Sequence, residues 1–491
     1  MSFAACHAYR LKCGDIRNAY FQGKEMDRVL LLKPPRGGLP GEGDLSDAAI
    51  LARVPIYGIG DSGRMFWKRL REEFLKEGLH ANRVSKALYS FATNDGVVRC
   101  MVGTHVDDIL WASDPEYEHM IQKILQTFSI RKVEEDSFRF CGREIEQDAE
   151  GNITVTCKSS VENVLPVNFD SKGRKGTDKA TPGEIGQLRS VIGSLAWVCR
   201  QCKPRLSHAV SRLQSIVAAA QVKDLTFANK LLQQAKEESH LGMTFKAKAF
   251  DWHKAVLVTI TDASFAGEKL VIDDKVFPRR SQKGRITALA DPVIWDGDKA
   301  NMHIIGWRST MIKRVCRSTF NAETQSMIDG VAAGARIRTI IADCRGMIDQ
   351  GGKWLEQARF SMPHLWLTDC ESLHGYLVNP IAANAEDKRL EIDLEDLRQT
   401  LWEDQHGNPK DDLLTDQSDK VRWIDTSTML ADPLTKLMKG ERLEDALAGG
   451  VLDLEPTAAS QMQKLMKQKQ RASKKVPKHE ALEDYITIDD C

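Results

Sequence analysis

The stretch A-V-L-V-T-I-T-D-A-S, residues 255–264, constrains the fold more than any other in this chain. It is a short apolar run rich in β-branched residues, which suits a buried strand, and it closes on an acid, Asp262. Two further strand-like runs follow, R-I-T-A-L-A (285–290) and H-I-I-G-W-R (303–308), then a long helical segment from about Asn321 to Cys344. Next come a strand H-L-W-L-T-D (364–369), helical segments, and a short strand V-R-W-I-D (421–425). Three sequential strands, a helix and alternating elements afterwards predict a compact α/β domain with a mixed sheet over residues 253–450.

Upstream, L-K-C-G-D-I-R-N-A-Y-F-Q-G-K (11–24) reads as a strand that ends on Asp15 and turns into a short helical segment. A Gly/Pro-rich break, K-P-P-R-G-G-L-P-G-E-G, precedes a helix from Gly63. Phe66, Leu70 and Phe74 share one face of that helix, and Lys68, Arg69, Arg71 and Lys76 share the other. In V-G-T-H-V-D-D-I-L-W-A-S (102–113) β-rich residues flank Asp107 and Asp108, which places the pair at a hairpin tip. A helix follows near residues 116–128, and residues 151–252 read as mostly helical. The expected units are therefore 1–150, 151–252, 253–450 and a charged, disordered tail over 451–491.

Lys plus Arg and Asp plus Glu each number 69, so the net charge is zero and any nucleic-acid contact must come from a local patch. No run of eighteen apolar residues and no signal peptide is seen, so the expectation is a soluble intracellular protein with no membrane partner. Eleven cysteines show no disulfide framework, and Cys199-x-x-Cys202 lacks a second pair at zinc-site spacing.

Taken singly, each acid named above is best read as a turn, cap or solvated residue. Jointly, Asp15, Asp107 and Asp108 could hold a pair of Mg²⁺ ions for phosphoryl transfer. A second set recurs at telling places: Asp262 at the end of a strand, Glu323 at the start of a helix, Asp369 ending another strand, and Asp432 in M-L-A-D-P-L-T-K.

These motifs resemble the Pol polyprotein of copia-type (Pseudoviridae-like) retrotransposons, in order, from about residue 11 to 440. D-I-R-N-A-Y-F-Q-G is similar to the family's first polymerase box, and His105-Val106-Asp107-Asp108 to its Tyr-Val-Asp-Asp box. I-Y-G-I-G-D-S-G-R-M-F-W-K-R-L has the frame of the template-contacting turn, with Asp61, Ser62 and Gly63 where the family has Gln-Ala-Pro. F-R-F-C-G-R-E-I resembles a strand near the primer grip, and Arg205 stands where the family has an Asp after Pro204. Downstream, T-D-A-S-F-A-G, R-R-S-Q-K-G-R-I-T, G-W-R-S, S-T-F-N-A-E-T-Q-S, L-T-D-C-E-S-L-H-G and L-A-D-P-L-T-K resemble the ribonuclease H boxes, with Arg389 in place of a usual His.

The resemblance implies an α+β reverse transcriptase palm and thumb, truncated and without fingers, followed by an α/β ribonuclease H-like domain. It implies Asp15, Asp107 and Asp108 as polymerase metal ligands, Tyr20 as the steric gate at the nucleotide, and Arg64 and Trp67 as template and primer contacts. It implies Asp262, Glu323, Asp369 and Asp432 as nuclease metal ligands, with two Mg²⁺ per active site, Mn²⁺ being an alternative. The implied partners are an RNA template, a DNA primer, an RNA–DNA hybrid and dNTPs, in a cytoplasmic virus-like particle or the nucleus. Because the basic finger strands precede Asp15 in the family, weak dNTP binding is expected here. The rival expectation is a non-catalytic remnant that binds nucleic acid.

Overall fold

The structure, a computed structural model, describes residues 1–491 apart from 38, 42, 46, 273–274, 350, 382–386, 405, 414–417, 458, 461 and 463–491. Most of the 451–491 segment therefore lies outside the described residues. The chain opens with helix α1 (Ser2–His7) and strand β1 (Leu11–Ile16), then a small hairpin, β2 (Leu30–Leu32) and β3 (Ile50–Ala52), and helix α2 (Ser62–Lys76). Strands β4 (His80–Ala81), β5 (Leu88–Ala92), β6 (Val98–His105) and β7 (Asp108–Ser113), helix α3 (Glu118–Gln126) and strand β8 (Ile130–Glu135) follow. They make an antiparallel six-stranded sheet of order β4-β5-β6-β7-β1-β8.

Strand alternation assigns each face of that sheet, apart from a bulge at the start of β6, where Phe91 pairs with Cys100 and Ala92 with Val98, that turns Val98 to the face opposite Cys100. Cys100, Val102, Ile109 and Trp111 join Phe66, Leu70 and Phe74 of α2 and Ile121 and Ile124 of α3 in one core. Leu11, Cys13, Val98 and Ala112 point the other way, into a larger core shared with the rest of the chain.

A second sheet, order β12-β11-β10-β9, is built from β9 (Ser137–Phe140), β10 (Arg143–Gln147), β11 (Ile153–Thr156) and the distant β12 (Met243–Phe245). F-R-F-C-G-R-E-I is thus two strands and not one. Cys141 (φ 50°) and Gly142 (φ 77°) both adopt left-handed backbone, the conformation a two-residue hairpin turn requires. Between β11 and β12 lie α4 (Lys158–Glu162), α5 (Pro182–Gln201), α6 (Ser207–Ile216) and α7 (Val222–Glu237), packed around their own apolar core. Thr181 and Glu184 cap α5 reciprocally ahead of Pro182.

The remaining elements are β13 (Val256–Ile272), β14 (Lys275–Ala290), β15 (Ala300–Met311), α8 (Thr319–Cys344), α9 (Trp354–Arg359), β16 (His364–Thr368), α10 (Glu371–Val378), α11 (Lys388–Trp402), β17 (Asp419–Trp423), α12 (Glu441–Gly449) and β18 (Val451–Leu452). They form a mixed sheet of order β17-β16-β13-β14-β15-β18, with β13, β16 and β17 parallel and β13, β14 and β15 antiparallel. Helix α8 lies close on β13 and β16 because glycines face these strands: a Cβ on Gly330 would sit 2.5 Å from Thr261 Cγ2 of β13, and one on Gly334 2.3 Å from His364 Cε1 of β16.

The apolar core runs without a break from Phe3 and Leu11 through Phe138, Ile145 and Val155 to Val258, Ile286 and Leu367. A division at residue 150 falls in the β10–β11 turn, and one at 253 crosses this shared core. Ordered structure also extends past 451, with β18 paired to β15 and Leu454 buried. Among the described residues no helix is long and apolar enough to cross a membrane.

Candidate functional site

Asp262 lies inside β13 and not at its end, because the strand runs on to Ile272 through register shifts after Ser264. Its cross-strand partner is Gly284. A Cβ there would meet Leu434 Cβ at 2.7 Å and Thr435 Cγ2 at 2.8 Å, so the glycine lets the 431–436 segment close over Asp262. Thr435 Oγ1 donates to Asp262 Oδ2. Glu323 stands near the start of α8, whose N-terminus is capped by Ser318 accepting from the Asn321 N–H at 3.1 Å. Ser326 Oγ, one turn on, lies 2.8 Å from the Asp262 carbonyl and 3.1 Å from that of Gly284, which ties the helix to both strands. Asp369 follows β16 directly; Thr426 Oγ1 donates to its Oδ2 at 2.9 Å, and Trp423 Nε1 donates to its carbonyl at 2.9 Å.

Carboxylate oxygens of Asp262, Glu323 and Asp369 all lie within 4.8 Å of one another, the one such group of three or more acidic, His or Cys side chains among the described residues. Asp432 starts a short 3₁₀ turn (Asp432–Leu434) and is engaged by Lys436, whose Nζ is 2.5 Å from Asp432 Oδ1 and 3.5 Å from Asp262 Oδ2. Asp262 is 2% and Glu323 4% exposed. Burial first, and then the charges of Asp432 and Asp369, push Asp262 up to about 6 against the pull of Lys436 and Thr435. Burial, Asp262 and Asp369 raise Glu323 well above the usual carboxylate range. Asp369 is also raised, mainly by burial. Burial works against the Lys436 charge, yet Asp262, Asp432 and Asp369 more than offset it and raise the lysine.

Glu323 Oε1 accepts from the Ala263 N–H at 3.2 Å, while its Oε2 is buried without a hydrogen-bond partner. An unsatisfied buried carboxylate oxygen in a knot of like charges is costly, and a divalent cation is the group that would relieve it. The donor set is all hard oxygen, which suits Mg²⁺ or Mn²⁺.

The other acid set lies on the first sheet. Asp15 on β1 is directly opposite Asp108 on β7, and the Ile16 N–H donates to the Asp107 carbonyl at 2.9 Å. Val106 at φ 56° makes the tight turn that carries the pair. Burial, Asp107 and Asp15 raise Asp108, and Arg131 reaches Asp15 at 3.3 Å. Tyr20 packs on Tyr57 with ring centroids 4.5 Å apart. Arg64 is exposed in the first turns of α2, and Trp67 one turn on donates Nε1 to the Lys86 carbonyl at 3.2 Å. The unexpected Asp61 pairs with Arg28 at 2.9 Å, and Arg205 with Glu238 and, at 2.5 Å, Glu444.

Thr435, Lys436, Thr426 and Gly284 went unnoticed in the sequence. The first two had a signal, since A-D-P-L-T-K puts a hydroxyl and a cation three and four residues after an acid. Cys199 and Cys202 are buried and free. Comparison of the sequence with models of known families and with curated proteins finds no match.

Proposed function

We propose that the acidic cluster on β13, α8 and β16 is a two-metal phosphodiesterase centre that cleaves the RNA strand of an RNA–DNA hybrid, in a ribonuclease H-like unit. The observation that carries this reading is the convergence of Asp262, Glu323 and Asp369, together with the partnerless Oε2 of Glu323. Bound Mg²⁺ would polarise the scissile phosphate and stabilise attacking and leaving oxygens. Asp262, Glu323 and Asp369 would hold the ions, with Asp432 joining them as Lys436 releases it. Until then Lys436 balances part of the negative charge. Thr435 and Thr426 fix the Asp262 and Asp369 carboxylates by donating to them, so the ligand oxygens are oriented before substrate arrives.

The test is incubation of the full chain with an end-labelled RNA–DNA hybrid. Mg²⁺-dependent cleavage of the RNA strand, abolished by chelator and absent on the matching DNA duplex, is the expected outcome; an intact hybrid contradicts the reading.

A second reading applies to the first sheet: templated nucleotidyl transfer, with Asp15, Asp107 and Asp108 as ligands, Tyr20 at the incoming dNTP, and Arg64 and Trp67 toward template and primer. The observation favouring it is the cross-strand register of Asp15 and Asp108 beside Asp107. Primer extension by the wild type, lost in Asp107→Asn and Asp108→Asn, is its test.

A further inference from the structure

A cavity of about 360 Å³ opens between α2 and the β4–β5 segment, lined by Trp67, Arg71, Leu75, His80, Arg83 and Lys86 among others. That volume is within the usual range for small-ligand pockets, roughly 300–1,000 Å³. Every titratable side chain on its wall is basic. Asp343, whose side chain is 1% exposed, does not line it but fixes two of these groups, meeting Arg83 Nη1 at 3.0 Å and His80 Nε2 at 3.1 Å. Asn82 accepts from the N–H groups of Val84 and Ser85 and donates to the Ile340 carbonyl, so the loop that carries Arg83 and Lys86 is held in shape.

Arg71 and Lys86 make no ion pair among the described residues. Trp67, half-buried, gives its N–H to the Lys86 carbonyl and so offers the cavity its ring. Behind the wall Tyr89 is fully buried and stacked on Phe74, with its hydroxyl beside Trp67 and Arg71, so it backs these two groups without facing the cavity. Two uncommitted cations and an aromatic ring converge on one small space. A phosphate beside a planar base satisfies all of them: cations for the phosphate, indole for stacking.

We propose that this pocket binds one nucleotide unit, its phosphate held by Arg71 and Lys86 and its base against the Trp67 indole. The unit is either a free nucleotide or one residue of a single strand. The Thr104 N–H donates to the Ala87 carbonyl at 2.8 Å, which puts Lys86 at the end of the sheet where β6 leads to Asp107 and Asp108. The site does not depend on hybrid cleavage at the acidic cluster.

The test uses the full chain, a fluorescein-labelled twelve-residue oligothymidylate and chelator throughout, with anisotropy read across a salt series. Arg71→Gln/Lys86→Gln should weaken binding by about 10-fold or more and lower the slope of log affinity against log salt by about two. Trp67→Leu, which removes the stacking ring, should weaken it by about 5-fold or more. Thymidine monophosphate that competes where thymidine does not identifies a free nucleotide as sufficient. Strand binding that loses strength in the double variant yet resists the monophosphate identifies the strand. Wild-type affinity and slope in Arg71→Gln/Lys86→Gln overturn the proposal. So does equal weakening by Lys158→Gln/Lys223→Gln, two exposed lysines of the helical unit, since only bulk charge would then be at work.

Discussion

Gly330→Ala should cost both stability and activity, although alanine is the better helix former. In the interior of α8 the substitution alone favours the helix by about 1 kcal/mol. Against that, the new Cβ would stand 2.5 Å from Thr261 Cγ2 and 2.7 Å from Thr259 Cγ2. Both threonines are fully buried in β13. Carbon atoms rest at roughly 3.5–4.0 Å, so the helix must retreat by about 1 Å or the strand must distort. Overpacking of this kind costs roughly 1–3 kcal/mol, and the net expectation is a loss of about 1 kcal/mol in urea unfolding. Glu323 rides on the same helix, about 10 Å toward its N-terminus. A displacement of about 1 Å at a reacting centre is worth about 100-fold in rate, so hybrid cleavage should fall far more than stability does. Gly186→Ala on α5, where a Cβ meets nothing within 4 Å, should instead stabilise by about 0.5–1 kcal/mol and leave cleavage intact. If Gly330→Ala behaves like Gly186→Ala, α8 is not seated on β13 through its glycines and the placement of Glu323 loses its physical basis.

Three other perturbations probe separate parts of the molecule. Lys436 occupies the negative field that a divalent cation would enter, so Lys436→Gln should lower the Mg²⁺ concentration that half-saturates thermal stabilisation several-fold; an unchanged or higher value shows that the lysine does not compete. His303 is fully buried, with Nε2 3.1 Å from the Lys246 carbonyl and Nδ1 2.9 Å from Ser2 Oγ. Burial pushes it down to about 4. As pH falls below 6.5 the unfolded chain takes up a proton that the folded chain refuses, so this group should remove about 2 kcal/mol of stability by pH 5. Urea unfolding of His303→Gln at pH 7 and pH 5 should show a pH loss smaller by that amount. Arg338 meets Asp419 at 3.2 Å with both side chains buried. Arg338→Leu leaves that carboxylate in the interior with Arg359 at 3.6 Å as its remaining arginine, and should cost roughly 3–5 kcal/mol in urea unfolding.

Much of the architecture was legible where composition and chemistry agree. The β-branched run at 255–262, the apolar face of Phe66, Leu70 and Phe74, and the turn at Val106-Asp107 each have a local cause, and each forms the element expected. What was not legible came from contacts distant in sequence. Nothing near Asp262 says that its strand continues to Ile272, because that depends on pairing with β14. Strand β12 looked like the end of a helical region, yet it completes a sheet with β11, about ninety residues earlier. Cys141-Gly142 was a turn signal that the resemblance to a single strand obscured. At the site, Asp262, Glu323 and Asp369 come together from β13, α8 and the end of β16. The division of labour between Asp432 and Lys436, and the role of Gly284 in letting them approach, follow from packing across β13 and β14.

The most direct measurement compares RNA–DNA hybrid cleavage by the full chain in Mg²⁺ with that of Asp262→Asn and Glu323→Gln, each checked for folding by its urea transition. A two-metal centre built on these carboxylates requires that both variants stay folded, lose Mg²⁺-dependent stabilisation, and fall in cleavage rate by at least about 1,000-fold. Folded variants that cleave the hybrid at the wild-type rate would show that any nuclease activity resides elsewhere.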